Sequence, residues 1–246
     1  MVYLKMLRES GAYLIVTIPV YNEVNLVEDA VKTVERAAAK ITDDYKVVIA
    51  EDGSTDGTLK KIIELSESNP HVTYLHSIER LGRGRSLKRA WKRIDGQIYV
   101  YLDSDLATDM TFFPQLVKWI ENGYDLVTGS RYMPGSIVER PILREIISRI
   151  YNLILRFLFR TGVKDHQCGF KAFSRRLIRQ VLPKCNSTHW FWDSEIIILA
   201  KREGYNILEI PVRWKERRRR KTSIKRLLND ILIHGSGIIY LLYRIG

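Results

Sequence analysis

In the first half of the chain, short runs of β-branched residues alternate with longer stretches of helical hydrophobic periodicity. The runs predict buried strands over residues 14–18 (ended by Pro19), 46–50, 72–75, 97–102 and 125–129. The stretches between them predict helices over residues 22–39 (with Asn22 as the N-cap), from 54–56 onward, over 85–93 and over 112–122. This alternation predicts an α/β fold, a mostly parallel central sheet with helices on both faces.

Polar residues follow three of these predicted strands directly. They are Tyr21-Asn22-Glu23, Glu51-Asp52-Gly53 and Asp103-Ser104-Asp105. In parallel sheets, ligands bind in the crevice beyond the carboxyl ends of the strands. We therefore expect the three clusters to converge on one crevice.

The second half of the chain is more helical. Over residues 146–160 the apolar positions follow helical spacing, while four polar residues lie on the other side: Arg149, Asn152, Arg156 and Arg160. This pattern is typical of a core-packing helix, and also of a helix lying in a membrane interface with its arginines at the headgroups. Residues 223–243 form a second such segment. We expect one domain over residues 1–222 and a C-terminal amphipathic helical extension over 223–246.

Composition narrows the class of protein. The chain has 246 residues, of which 46% are hydrophobic and 28% charged, which is typical of a globular protein. Its two cysteines exclude a disulfide framework. The first residues lack an apolar stretch of signal-peptide length, and the apolar run over 231–243 is shorter than the roughly 20 residues of a spanning helix. We expect no signal peptide and no transmembrane helix.

The formal net charge of +12 is concentrated in two segments. Residues 79–93 carry +6 and residues 201–226 carry +8, so the rest of the chain is near neutral. Such segments bind nucleic acid, phosphorylated small molecules or an anionic membrane surface, or they are simply solvated surface charge.

Two carboxylates, Asp103 and Asp105, end an apolar predicted strand. An isolated Asp-x-Asp is common in loops and N-caps. At a strand end beside two other acidic clusters, it favours a site for Mg²⁺ or Mn²⁺, which bind through one or two carboxylates plus substrate phosphates. The segment Gly82-Arg83-Gly84-Arg85 is typical of a diphosphate cradle, since glycines admit a close backbone approach and arginines add charge.

The order of these segments resembles the family 2 glycosyltransferases, which have the GT-A fold. Further segments resemble the polyprenyl-phosphate sugar synthases, and more closely the dolichyl-phosphate glucose synthases than the mannose synthases. They are Gly129-Ser130-Arg131-Tyr132, Asp165-His166-Gln167-Cys168-Gly169-Phe170-Lys171, Trp192-Asp193-Ser194-Glu195 and Ile210-Pro211-Val212-Arg213-Trp214. The resemblance extends from about Leu14 to Lys225.

The resemblance implies roles for individual residues. Asp103 and Asp105 would hold the metal with Ser104 close by, Arg131 would position a donor or acceptor phosphate, and Arg217 would clamp a phosphate. The nucleotide would be bordered by Pro19, Tyr21, Glu23, Ala50 and Asp52. Asp193 is a candidate to orient the acceptor or the sugar hydroxyls, or to act as a base. Together with Arg83 and Gly84 of the cradle, these are the predicted site residues.

The implied activity is inverting transfer of a hexose, glucose or mannose, from UDP- or GDP-sugar to a polyprenyl (dolichyl) phosphate. An anionic acceptor needs no strong base. The alternative is a family 2 enzyme that acts on a sugar hydroxyl of a polysaccharide or glycolipid. Nucleic acid binding is disfavoured, because the basic run Arg217–Lys221 lacks interleaved aromatic residues. We expect a peripheral enzyme at the cytoplasmic face of an anionic membrane, with a small membrane partner or a homo-oligomer as further partners.

Overall fold

The structure is a computed structural model and describes residues 11–217 and 224–245. Three features considered above lie outside the described residues. They are the N-terminal segment, the basic positions 218–221 and the predicted domain boundary at residues 222 and 223.

A seven-stranded sheet organises the described residues, in the strand order β3-β2-β1-β4-β7-β5-β8. Its strands are β1 (Ala12–Val20), β2 (Tyr45–Glu51), β3 (Val72–Leu75), β4 (Gly96–Leu102), β5 (Leu126–Ser130), β7 (Phe170–Ser174) and β8 (Ile207–Pro211). Two short strands, β6 (Ile137–Glu139) and β9 (Arg213–Lys215), form a separate parallel pair. All neighbours in the large sheet are parallel except β7, which runs antiparallel to both β4 and β5. The predicted mostly parallel α/β fold is confirmed.

Helices cover both faces of the sheet. They are α1 (Val27–Ala38), α2 (Thr58–Ser68), α3 (Arg83–Arg93), α4 (Phe113–Glu121), α5 (Ile142–Phe159), α6 (Arg175–Gln180), α7 (Trp192–Arg202) and α8 (Ile224–Ile245). Successive residues of β1 point to opposite faces, so Leu14 and Val16 join one core and Ile15 joins the other. The first core contains α1, α2 and α4, and the second contains α3, α6 and α7.

The predicted N-cap at Asn22 is wrong. Asn22 has a left-handed backbone (φ 54°) and lies in a loop, and α1 begins at Val27. Its backbone N–H donates to Ser54 Oγ at 2.9 Å, and its side-chain oxygen accepts the N–H of Thr55 at 2.8 Å. Asn22 therefore ties the loop after β1 to the loop after β2, because an Asn side chain satisfies backbone groups in loops as well as at helix ends.

The two amphipathic segments of the second half form α5 and α8. In α5 only Asn152 and Leu155 are buried, and most of the apolar face is exposed, with Leu153 at 61% and Phe157 at 82%. In α8 Leu241 is buried, whereas the apolar exposed side chains are Leu232, Ile239, Tyr240, Leu242 and Tyr243. Core packing therefore accounts for only a narrow stripe of α5, and for few side chains of α8 over residues 232–245, where burial is described. Among the described helices, none combines the length and the hydropathy needed to cross a membrane.

Candidate functional site

The three polar clusters meet at the carboxyl ends of β1, β2 and β4. They surround a cavity of about 300 Å³, which we call the strand-end cavity. Its lining residues are Pro19, Val20, Tyr21, Asn22, Glu23, Asp52, Arg80, Gly82, Arg83, Asp103, Ser104, His189 and Trp190. The predicted convergence on one crevice is confirmed, and it follows from the parallel arrangement of these strands.

Asp52 organises the loop that precedes α3. Its carboxylate accepts the backbone N–H groups of Leu81 (2.7 Å) and Gly82 (2.9 Å) and the hydroxyl of Ser86 (2.8 Å). Gly82 adopts φ +87°, and a side chain there would overlap the ring of His189. The carboxylate at the end of β2 thus fixes the backbone from which Arg83 extends into the site.

Arg83 lies at the wall of the strand-end cavity and contacts two carboxylates. Its Nη1 donates to Asp103 Oδ1 at 3.1 Å, and its Nη2 donates to Asp193. Its guanidinium carbon lies 4.3 Å from the ring centre of Trp190, a cation–π contact. Burial alone would lower the pKa of Arg83, but Asp193, Tyr101 and Asp103 outweigh that penalty and raise it above its usual range.

Asp103 is held in place by strands from both halves of the chain. It accepts the hydroxyl of Tyr101 on β4 at 2.6 Å, and its backbone N–H donates to the carbonyl of Gly169, just before β7, at 3.0 Å. A methyl group at Gly169 would overlap the Asp103 carboxylate. Only glycine leaves room for Asp103 at this junction.

Asp105 faces a second cavity, of about 510 Å³, which adjoins the first at Ser104. We call it the outer cavity. Arg213, Lys215 and Arg217 line it on the side of β9, and the Arg217 side chain is exposed. The structure therefore brings Arg217 to the same cavity as Asp105, although the two residues are far apart in sequence.

The donor chemistry of this region fits a divalent cation. Asp103 and Asp105 provide carboxylate oxygens, the ligands that Mg²⁺ and Mn²⁺ prefer. Within the described ranges, no cluster of three or more His, Cys, Asp or Glu side chains forms a complete metal cage. A two-carboxylate site suits an ion that takes its remaining ligands from water and a substrate diphosphate.

Arg131 does not line either cavity. Its side chain is 7% exposed and forms a forked ion pair with Asp165, at 2.7 Å from Nε and 2.8 Å from Nη2. Burial would raise the pKa of Asp165, but Arg131 outweighs it and lowers that pKa to about 2. The resemblance implies that Arg131 positions a phosphate. In the structure, its guanidinium instead pairs with the carboxylate of Asp165.

Asp193 is fully buried at the start of α7 and lines neither cavity. Its Oδ1 accepts Lys171 Nζ at 2.9 Å, and its Oδ2 accepts Arg83. Asp193 therefore presents no exposed surface to either cavity, and its role toward a substrate stays a prediction. Its partners are both side chains of the chain itself.

Two other predicted site residues are packing residues in the structure. Ala50 on β2 is fully buried within the second core. Gly84 lies in the first turn of α3, where a side chain would meet Trp192 of α7 at 2.5 Å. Neither lines the strand-end cavity or the outer cavity, although Gly84 lets α3 approach α7 closely and so helps to place Arg83.

Several residues of the site are not among the predicted site residues. Arg80 stacks on Tyr21 with its guanidinium carbon 4.0 Å from the ring centre, and His189 and Trp190 complete the wall of the strand-end cavity. Arg80 lies in the basic segment over 79–93, so its charge is the signal that could have identified it. Trp190 stands in the consecutive aromatic run Trp190-Phe191-Trp192, which is typical of a core as well as of a ligand pocket.

Residues 15–182 of the chain match the glycosyl transferase family 2. The chain is 40% identical over 233 residues to Glycosyltransferase AglD of Haloferax volcanii, covering 94% of this chain and 37% of that protein. It is 31% identical over 218 residues to a dolichyl-phosphate beta-glucosyltransferase of Dictyostelium discoideum, covering 83% of this chain and 67% of that protein. The chain thus spans little more than a third of the first relative and about two thirds of the second.

The fold is shared with glucosyl-3-phosphoglycerate synthase of Mycobacterium tuberculosis. The structure of that enzyme with Mn²⁺, UDP and phosphoglyceric acid superposes with a TM-score of 0.71 at 20% identity, over 96% of this chain and 79% of that one. The match over residues 15–182 covers more than half of the 246 residues, and the chain therefore belongs to glycosyl transferase family 2.

Proposed function

We propose that this chain is an inverting hexosyltransferase that moves glucose from a nucleoside diphosphate to a polyprenyl (dolichyl) phosphate. One observation carries the proposal: the carboxylates Asp103 and Asp105 share their two adjoining cavities with the basic side chains of Arg83 and Arg217. Carboxylates alone would repel a diphosphate, and guanidinium groups alone would not hold a divalent cation. Together they suit a diphosphate and its cation.

The relatives support the choice of substrates. The Dictyostelium relative is named for a dolichyl-phosphate acceptor and a β-linked glucose, and the Mycobacterium structures contain UDP and Mn²⁺. We therefore propose UDP-glucose as the donor, rather than GDP-mannose, with Mn²⁺ or Mg²⁺ as the cation. A β-linked product from an α-linked donor requires inversion at the anomeric carbon.

In this proposal the strand-end cavity binds the nucleotide and the outer cavity faces the acceptor. Pro19, Tyr21, Glu23 and Asp52 border the nucleoside, and Arg83 contacts the diphosphate. Asp103 and Asp105, with Ser104 between them, hold the cation. When bound, Mg²⁺ or Mn²⁺ supplies Lewis-acid stabilisation of the charge that develops on the leaving diphosphate.

The transfer itself needs little proton chemistry from the chain. An oxygen of the acceptor phosphate bonds to the anomeric carbon as the bond from that carbon to the diphosphate oxygen breaks. The acceptor oxygen is already anionic near neutral pH, so no side chain has to remove a proton. Arg83, held by Asp103 and Asp193, and Arg217, which lines the outer cavity, would stabilise the negative charge of the leaving diphosphate most strongly in the transition state. Arg131, by its ion pair, holds Asp165 and the segment before Gly169 in place.

The exposed apolar faces of α5 and α8 suit a membrane surface, where a polyprenyl chain is anchored. Leu153 and Phe157 of α5 and Ile239 and Tyr243 of α8 are largely exposed. Interfacial helices bury such side chains at the boundary of headgroups and acyl chains. Docking at the cytoplasmic face, headgroup contacts of the basic run Arg217–Lys221, and a small membrane partner or a homo-oligomer remain predictions.

The test is a donor and acceptor screen with the purified chain. UDP-glucose and GDP-mannose are each offered with a short polyprenyl phosphate, or with a sugar hydroxyl acceptor, in the presence of Mn²⁺ or Mg²⁺. Mass spectrometry of the lipid product is expected to detect polyprenyl phosphate glucose from UDP-glucose. Hexose found only on the hydroxyl acceptor would contradict the proposal.

A pair of matched variants tests the metal site. Asp105→Asn is expected to lower transfer by on the order of 100-fold or more, because it weakens the hold on the cation that would stabilise the leaving diphosphate. Asp109→Asn is the control: Asp109 also lines the outer cavity, but it caps a turn by accepting the N–H of Thr111 at 2.9 Å. Full activity of Asp105→Asn would contradict the assignment of the metal ligand.

A further inference from the structure

Four side chains of alternating charge extend from the protein interior to the strand-end cavity. Lys171 on β7 pairs with Asp193, Asp193 pairs with Arg83, and Arg83 pairs with Asp103. The exposed fraction of the side chains rises along this series, from 0% at Lys171 and Asp193 to 11% at Arg83 and 36% at Asp103. The series therefore has a buried end and an end that faces the cavity.

The orientation of Arg83 is fixed from several directions. One terminal nitrogen contacts Asp103, the other contacts Asp193, and the ring of Trp190 covers the guanidinium at 4.3 Å. A guanidinium is planar and rigid, so two carboxylates in its plane define its direction, whereas the single ammonium of a lysine could not satisfy both. Asp193 supplies the buried contact that anchors this geometry.

The geometry of Asp193 excludes direct contact with a substrate in the cavity. Both of its oxygens already accept hydrogen bonds from cationic side chains, and its side chain has no exposed surface. A general base must lie within hydrogen-bond reach of the proton that it removes. Lys171, which also donates to the Cys168 carbonyl, balances the charge that Asp193 would otherwise bury alone.

We propose that Asp193 and Lys171 are positioning residues, a buried ion pair that holds the guanidinium of Arg83 against the donor diphosphate, and that Asp193 takes no part in proton transfer. This inference rests on the proposed function for the identity of the ligand. Under this proposal Asp193 does not contact the substrate. The fully buried pair of Lys171 and Asp193 instead fixes the position of Arg83 at the strand-end cavity.

The test is a double-mutant cycle between Asp193 and Arg83. The variants Asp193→Asn, Arg83→Gln and the double variant are compared with the wild-type protein. The measurements are UDP binding with Mn²⁺ by titration calorimetry and kcat/KM for glucose transfer. Asp193→Asn alone is expected to weaken UDP binding on the order of 10- to 100-fold, the usual range for residues that orient a ligand. In the Arg83→Gln background it is expected to add less than about twofold, because its effect passes through Arg83.

Asp125→Asn is the matched control for loss of a buried carboxylate. Asp125 is 3% exposed and pairs with Arg176 at 2.7 Å. It precedes β5 and so lies at the amino ends of the parallel strands, opposite the strand-end cavity. It is expected to lower the melting temperature while leaving UDP affinity unchanged. The proposal is overturned if Asp193→Asn keeps wild-type UDP affinity, or if its loss of activity is as large in the Arg83→Gln background as alone.

A second variant covers the case in which Asp193→Asn does not fold. Lys171→Met with Asp193→Leu removes both charges of the buried pair, a replacement that proteins often tolerate. Its UDP affinity is expected to equal that of Arg83→Gln, and wild-type affinity would overturn the proposal.

The calorimetric cycle also distinguishes a failure of the positioning role from a failure of the proposed function. Coupling of Asp193 to Arg83 in UDP binding supports the positioning role even if no glucose transfer to polyprenyl phosphate is detected, which would overturn only the proposed function.

Discussion

Helices α1 and α5 have similar amphipathic patterns but opposite environments. In α1 the apolar positions are buried against the sheet, among them Val27, Val31 and Val34. In α5 the equivalent stripe is exposed, and Ile150, at 53%, is representative of it. The difference arises because α1 lies over β1 and β2, whereas α5 joins the sheet region mainly through a narrow buried stripe.

This contrast shows what an amphipathic pattern specifies and what it does not. The spacing of apolar residues requires that one face of the helix meet an apolar partner, because exposed apolar surface is unfavourable in water. It does not say whether that partner is the sheet, another chain or a lipid surface. In the first half of the chain, helices such as α1 bury their apolar faces against the sheet. In the second half, α5 and α8 leave apolar faces exposed.

The largest effect is expected where the two halves meet. Gly169→Ala places a methyl group against Asp103, which must then move away from its position at the cavity. A displacement on the order of 1 Å costs about 100-fold in activity, and glucose transfer is the measurement. Gly235→Ala in α8 is the control, since a side chain there meets none of the described residues within 4 Å. Wild-type activity of Gly169→Ala would show that the junction does not set the position of Asp103.

A pair of truncations tests the contrast between buried and exposed helices directly. Ile62→Ala in α2 removes a fully buried side chain and is expected to lower the free energy of unfolding by about 2–5 kcal/mol. Phe157→Ala in α5, where the side chain is 82% exposed, is expected to change it by less than about 0.5 kcal/mol. Denaturant unfolding measures both. Equal losses would mean that the face of α5 is buried in solution.

The stability of the contact between α5 and the loop that follows it, where His166 lies, is expected to depend on pH. His166 is buried, its Nδ1 contacts Asn152 Oδ1 of α5 at 2.8 Å, and burial lowers its pKa from 6.5 to about 3. The unfolded chain therefore binds the proton first, so the stability from neutral His166 is complete above pH 6.5 and falls as the pH decreases toward 3. The loss is about 2 kcal/mol at pH 5.

Denaturant unfolding of wild-type protein and His166→Gln between pH 7.5 and 4.5 measures this dependence. The variant is expected to have a shallower loss of stability with decreasing pH. Parallel pH profiles would mean that His166 is accessible to protons in the folded protein.

The smallest effect concerns the exposed face itself. Phe157→Ser is expected to weaken partitioning onto anionic vesicles by on the order of 10-fold, because one large apolar side chain no longer enters the interface. Sedimentation with phosphatidylserine-containing vesicles measures this. Ile78→Ser is the control, since Ile78 is 89% exposed but precedes α3 rather than lying on α5 or α8. Equal partitioning of Phe157→Ser and Ile78→Ser would contradict binding of α5 to a membrane surface.

The strand-end cavity could be predicted from sequence because it depends on local features. Strands such as β4 are short apolar runs, and in a parallel sheet the residues that follow them lie at one edge. Tyr21, Asp52 and Asp103 therefore met as expected. The strand β7 was missed, because its five residues include a buried charge, Lys171, that interrupts the apolar run.

The environments of Arg131 and Asp193 could not be predicted in the same way. Their partners are distant in sequence: Asp165 lies 34 residues from Arg131, and Lys171 lies 22 residues from Asp193. A charge in a motif is compatible with a substrate contact and with an internal ion pair. Only the tertiary fold decides between them, by placing a compensating charge within hydrogen-bond distance.

The position of β7 between β4 and β5 also determines the order in which the sheet can assemble during synthesis. Strands β3, β2, β1 and β4 pair with one another in the first 102 residues, but among the described strands the partners of β5 are β7 and β8. As the chain leaves the ribosome, β4 therefore stays an open edge, and β5 has no partner in the sheet until residues 170–174 are made. Asp103 and Asp105 are synthesised early, but Gly169, Lys171 and Asp193 arrive late. A nascent chain thus carries Asp103 and Asp105, the proposed ligands of the cation, well before it can hold them in place, and its unpaired edge is exposed to misassembly during that interval.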